Sequence, residues 1–149
     1  MTIQVEVIPD YRTIYMRRVG PYGPENKQVM EQLKQWAQEN NLLTESAILF
    51  GIAQDNPEIT KPENCRFDAC IVISKSEQLE PQMYEGVVPG GRYVVYRLQH
   101  TEEAVQQAWA SIIPYIQNNG YQIDNKPILE RYTGNLITKD MCELCVPIK

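Results

Sequence analysis

The chain repeats itself, and the repeat leaves few folds open. Residues 3–8 and 12–19 read as one strand broken near Pro9-Asp10, 24–40 as an amphipathic helix, and 47–53 and 66–74 as two further strands. The order strand, helix, strand, strand then returns. Residues 85–88 and 91–99 read as strands on either side of Pro89-Gly90, and Thr101 is a helix N-cap followed by Glu102 and Glu103. Val105, Trp109, Ile112 and Ile116 recur at helical spacing, and strands follow at 127–133 and 142–148. Pro114 is expected to kink or end this second helix early. The registers agree as well. Val29, Leu33 and Trp36 return as Val105, Trp109 and Ile112; Asp68-Ala69-Cys70 returns as Glu143-Leu144-Cys145; Ile48-Leu49-Phe50 returns as Ile128-Leu129-Glu130. The expected fold is α+β, a tandem pseudo-twofold duplication of a βαββ unit in one domain, 1–149, with rounds at about 1–80 and 84–149. Two such units join their strands into an antiparallel sheet with helices on one side, a groove on the other, and a central ligand cleft.

Composition removes several functions. With a net charge of −5 and a pI near 4.9, the chain lacks the basic face that nonspecific duplex binding needs. No apolar run approaches the ~20 residues of a membrane span. Met1-Thr2-Ile3-Gln4-Val5-Glu6 lacks a basic segment followed by an apolar core, so no signal peptide is read there and a cytoplasmic location is expected. Cys142-Glu143-Leu144-Cys145 has the spacing of a redox or zinc motif. On a strand, however, residues three apart point to opposite faces, and His100 is the only histidine. Cys65, Cys70, Cys142 and Cys145 are therefore expected to be thiols, with neither metal nor cofactor.

One carboxylate stands out. Pro127-Ile128-Leu129-Glu130-Arg131-Tyr132-Thr133 is an apolar and aromatic run with Glu130 at its centre. Strand alternation puts Ile128, Glu130 and Tyr132 on one face and Leu129, Arg131 and Thr133 on the other. Two readings stand. Glu130 is a solvated strand residue, or it lies inward, as its apparent counterpart Phe50 suggests. An inward carboxylate needs positive company, and Arg66 or Arg17 would supply it. Tyr22, Phe50, Phe67, Tyr96, Trp109 and Tyr132 are the candidate walls of such a cleft. Ordinary core packing is the competing role for each, most of all for Phe67 and Trp109.

Several segments carry a family resemblance: Arg18-Val19-Gly20-Pro21-Tyr22, Asp55-Asn56-Pro57-Glu58, Cys65-Arg66-Phe67-Asp68-Ala69-Cys70, Val88-Pro89-Gly90-Gly91-Arg92-Tyr93, Leu129-Glu130-Arg131-Tyr132 and Cys145-Val146-Pro147-Ile148. In this order and spacing, over nearly the whole chain, the sequence resembles the GyrI-like small-molecule-binding domains. That family includes effector-binding domains of AraC-type and MerR-type multidrug regulators and the DNA gyrase inhibitory protein. The resemblance implies the duplicated βαββ fold and an acidic residue, here Glu130, at the centre of an aromatic cleft for cationic, lipophilic compounds. It also implies two alternatives: hydrolysis of strained cyclopropane-bearing toxins with Glu130 as general acid or base, and a protein partner such as DNA gyrase. No Ser-His-Asp or Cys-His set points to acyl transfer. No helix-turn-helix precedes the domain in this sequence, so direct nucleic-acid binding is not expected.

Overall fold

A computed structural model describes residues 3–74, 81 and 83–149. The elements run β1 (Ile3–Ile8), β2 (Tyr11–Val19), α1 (Glu25–Glu39), β3 (Ile48–Ala53), β4 (Arg66–Val72), β5 (Met83–Val88), β6 (Gly91–Gln99), α2 (Glu102–Asn118), β7 (Leu129–Thr133), α3 (Gly134–Ile137) and β8 (Met141–Ile148). The strands form one eight-stranded sheet in the order β1-β6-β8-β7-β3-β4-β2-β5, antiparallel throughout. The sequence of neighbours reads the same from either side of the β7/β3 seam, which marks the pseudo-twofold. The junction expected near residue 80 lies outside the described residues.

The first strand of each round crosses to the other half: β1 lies on β6, and β5 lies on β2. The exchange follows from chain continuity. Only Pro9-Asp10 separates β1 from β2, and only Pro89-Gly90 separates β5 from β6. The pairing register runs unbroken through both bends, with Ile3 opposite Tyr96, Ile8 opposite Gly91, Tyr11 opposite Val88 and Met16 opposite Met83. The two long strands are thus one bent ribbon. At its corner a side chain on Gly90 would meet Ile8 O at 2.5 Å and Asp10 N at 2.6 Å, so only glycine fits between these backbones.

Both faces of the sheet are buried in its middle. On one face, Val29, Leu33 and Trp36 of α1 and Ala108, Ile112 and Ile116 of α2 pack on Ile14, Leu49, Ile71, Leu144 and Val146. The other face buries Ile8, Phe50, Cys70, Val88, Tyr93, Leu129 and Cys145. Each fully buried Leu, Ile or Phe here contributes on the order of 1.5–3 kcal/mol. Cys142 belongs to the helix-side core and Cys145 to the opposite one, as strand alternation requires, and all four thiols are free and buried.

The register corrects one sequence equivalence. Cys70 pairs with Phe50, and Cys145 with Leu129. Arg17 pairs with Asp68 as Arg97 pairs with Glu143, so Asp68 and Cys70 do correspond to Glu143 and Cys145. Phe50 then corresponds to Leu129, and the counterpart of Glu130 is Gly51. Aligning Phe50 with Glu130 slips the strands by one residue, and such a slip exchanges the faces.

Pro114 does not end α2, which continues to Asn118. Pro114 and Ala110, whose carbonyl loses its helical donor, are both exposed, so water replaces the missing bond. Thr101 caps the helix as expected, its Oγ1 accepting from Ala104 N at 3.1 Å.

Candidate ligand-binding site

Glu130 leaves the middle of β7 on the helix-bearing face, directly opposite Gly51 of β3. Because Gly51 has no side chain, the Phe67 ring and the Met30 methyl come down onto the sheet beside the carboxylate. A Cβ there would meet Phe67 Cζ at 3.0 Å and Met30 Cε at 3.6 Å. Two cavities meet at this point. One, about 580 Å³, reaches under α2 to Val105, Trp109, Leu144 and Ile128. The other, about 550 Å³, runs along α1 past Met30, Lys34, Tyr132 and His100. Asn26, Phe67 and Glu130 line both, so they form the waist of one groove between the helices. The groove therefore opens on the helix side of the sheet, not opposite it. The expectation failed because both faces are buried, and alternation alone cannot say which face carries the helices.

Glu130 is half-buried and, among the described residues, makes no ion pair. Its polar partner is the Tyr132 hydroxyl, which donates to Oε2 at 2.7 Å. That hydroxyl also lies 3.2 Å from His100 Nε2. Since the shorter contact takes the phenol proton, the phenol oxygen is left to accept from His100. Burial, then the neighbouring Glu130 carboxylate, push the Tyr132 phenol far above its ordinary range, so it stays protonated and remains a donor. The result is a chain His100–Tyr132–Glu130 ending on a carboxylate that faces open space.

Neither expected arginine meets Glu130. Arg17 makes a two-point contact with Asp68, at 2.7 and 2.9 Å, and Arg66 grips Asp55 through Nε and Nη2 at 3.0 and 2.9 Å. Each has an acid directly across its own hairpin or strand pair, which a nearer partner in register always favours. The adjacent Arg131 points to the opposite face, between Glu6 and Glu143. The cleft anion is thus left uncompensated while the far side of the same strand is fully paired.

The aromatic candidates divide. Tyr132, Phe67 and Trp109 line the groove. Phe50 does not: it is fully buried in the core beneath the sheet, on the face away from Glu130. Tyr96, 1% exposed, belongs to the helix-side core and lines neither chamber. Tyr22 is a pin, its hydroxyl donating to Arg66 O at 2.8 Å and accepting from Asp55 N at 3.0 Å. It holds Asp55, which does line the groove, but is not itself a wall. Sequence reasoning missed Gly51, Met30, Lys34 and His100. The first was one register step away; the α1 pair lies at helical spacing beside Leu33.

The GyrI-like small molecule binding domain model matches residues 1–149. The chain belongs to the GyrI-like family. Over 150 aligned residues this GyrI-like domain is 42% identical to the SPbeta prophage-derived protein YosT of Bacillus subtilis, whose name gives it as a candidate transcriptional regulator; all of both chains is covered. It is 26% identical to DNA gyrase inhibitor 2 of Dickeya dadantii, over 82% of this chain and 78% of that one. Among solved structures, the EcmrR C-terminal domain superposes with a TM-score of 0.76 at 18% identity, covering 99% of this domain and 97% of that one. The domain spans 57% of the longer EcmrR chain in its DNA complex. SAV2435 bound to tetraphenylphosphonium superposes with a TM-score of 0.57 at 14% identity, covering 100% of this domain and 94% of that chain. These structures share the GyrI-like fold.

Proposed function

We propose that the groove binds a lipophilic cation, with Glu130 as its counter-charge and Trp109, Phe67 and Tyr132 as its walls. The observation that carries this is a half-buried carboxylate at the waist of an aromatic groove with no cation paired to it among the described residues. Such an anion is costly in the empty protein and attracts a desolvated cation through charge and ring quadrupoles. The ligand that SAV2435 carries belongs to this chemical class. The protein is read as a binding module for sensing or sequestration. Titration with tetraphenylphosphonium, followed by tryptophan fluorescence, tests it. Trp109 lines the groove and Trp36 is buried between α1 and the sheet, so the signal should survive Trp36→Phe and vanish with Trp109→Phe. Absence of saturable binding by calorimetry would end this reading.

The His100–Tyr132–Glu130 chain favours one second reading, hydrolysis of a strained electrophile. Glu130 would take the proton of a water whose oxygen bonds to a ring carbon as the strained C–C bond breaks. The electron pair passes into the compound's own conjugated acceptor, which then takes the proton back from Glu130, while Tyr132 holds the carboxylate in place. Release of a ring-opened product from a cyclopropane-bearing alkylating compound, lost in Glu130→Gln while binding persists, separates catalysis from binding alone.

A further inference from the structure

Lys34 is a cation set against the groove's aromatic wall. It leaves α1 on the groove side with its side chain 21% exposed. Its Nζ lies 5.7 Å from the centre of the Tyr132 ring, the same ring whose hydroxyl donates to Glu130. Glu31, one turn back on α1, is 3.6 Å from that Nζ and more exposed. Lys27, Glu31 and Lys34 from α1, with Glu130, Tyr132, His100 and Asp140, are the charged and titratable groups of this chamber. Among them Lys34 is the one placed over an aromatic face.

We propose that Lys34 is a built-in cation that fills the Tyr132 face when the groove is empty, and that a cationic ligand must displace it. The inference rests on the cation reading of the groove and names what that groove rejects. A tethered ammonium presents itself at an effective concentration on the order of millimolar. It is compact and strongly hydrated, and its flexible stem lets it swing off the ring into solvent while it keeps the Glu31 carboxylate it already meets at 3.6 Å. Small hydrated ammonium ions gain nothing over it at this face. A bulky cation with delocalised, weakly hydrated charge gains by filling both chambers with aromatic surface. The favoured class is therefore aryl-phosphonium-like cations and delocalised dyes rather than small alkylammonium ions. Lys34 acts as the specificity-determining residue.

Calorimetric titrations of the wild type, Lys34→Met, Lys34→Arg and Glu130→Gln with tetraphenylphosphonium, with tetramethylammonium and with neutral triphenylphosphine oxide test this. Lys34→Met should bind tetraphenylphosphonium about 3- to 10-fold more tightly, as a partly screened like charge is removed. It should also bind tetramethylammonium measurably, where the wild type does not. Lys34→Arg, whose weakly hydrated guanidinium stacks better on the ring, should bind tetraphenylphosphonium no more tightly than the wild type, and the phosphine oxide should be indifferent to all three changes. Thermal melts without ligand give an independent measure: Lys34→Met should lower the midpoint more in the wild type than in Tyr132→Leu, where the ring it sits over is already gone. If tetraphenylphosphonium binds and Glu130→Gln weakens it while Lys34→Met leaves it unchanged, the role of Lys34 is overturned and the cation site stands. If no variant binds it, the cation site itself falls, and additive melts would then remove Lys34's role as well.

Discussion

Replacing Glu130 by Gln changes charge at nearly constant shape. A quaternary phosphonium or ammonium centre approaches a carboxylate to about 5 Å, and at an effective dielectric near 20 the attraction is roughly 3 kcal/mol. Glu130 is half-buried, so solvent screens part of this. The amide oxygen of Gln still accepts from Tyr132, which keeps the wall in place. The expected loss is therefore about 1–3 kcal/mol, roughly ten- to a hundredfold in affinity for tetraphenylphosphonium. Triphenylphosphine oxide should bind both proteins alike. Without ligand, the variant should be as stable as the wild type or more so, because an unpaired carboxylate is removed from an apolar site. Calorimetry at low and moderate salt reads the affinity, and chemical denaturation reads the stability. Equal loss of the cation and the oxide would mean that packing, not charge, was damaged; no change in either would make Glu130 a bystander. Either result refutes the electrostatic account.

Other perturbations report on the frame around the groove. Gly51→Val should reduce tetraphenylphosphonium affinity tenfold or more by calorimetry, because its Cβ starts 3.0 Å from Phe67 Cζ and the added methyls fill the waist. Arg131→Met should cost about 3 kcal/mol in urea denaturation, the low end for a broken buried pair, since it leaves the buried Glu143 only the more exposed Arg97 and frees Glu6. Hydrogen bonding to Arg131 holds the Glu6 carboxyl below its ordinary range; this stability is present above the unfolded value and is lost as pH falls through the folded one. Acid titration of stability should accordingly be steeper below the usual glutamate range in the wild type than in Arg131→Met. Cys142 and Cys145 are buried, and burial pushes both thiols up to about 12, so a colourimetric disulfide reagent should reach them only on unfolding.

Much of this is legible in the sequence. Period-two alternation put Glu130 and Tyr132 on one face and Leu129 and Arg131 on the other, and it separated Cys142 from Cys145. What alternation cannot do is assign a face when both are buried. That is why Phe50 reads as a groove wall but lies in the opposite core, and why the groove is expected on the other side; Tyr96 shares the groove's side of the sheet but is fully buried there. The arginine partners failed for a local reason. Arg17 stands opposite Asp68 and Arg66 meets Asp55 across its hairpin, and neither pairing is visible until the register is fixed. Glu130's real partner was two residues along the same strand, the nearest same-face neighbour a strand offers.

The seam between the halves has a consequence for how such a site arises. Gly51 and Glu130 face each other and occupy equivalent places in the two halves, so the pseudo-twofold axis passes between them. A homodimer built from either half alone would put the same residue on both sides of its axis. Two glutamates would stand about 5 Å apart and repel, each discouraging the other's charge. Two glycines would leave room and no charge. One anion beside one glycine, over which an aromatic ring can lie, requires the copies to differ at this position. Fusion into a single chain makes that difference inheritable, and with it a binding centre that carries one charge.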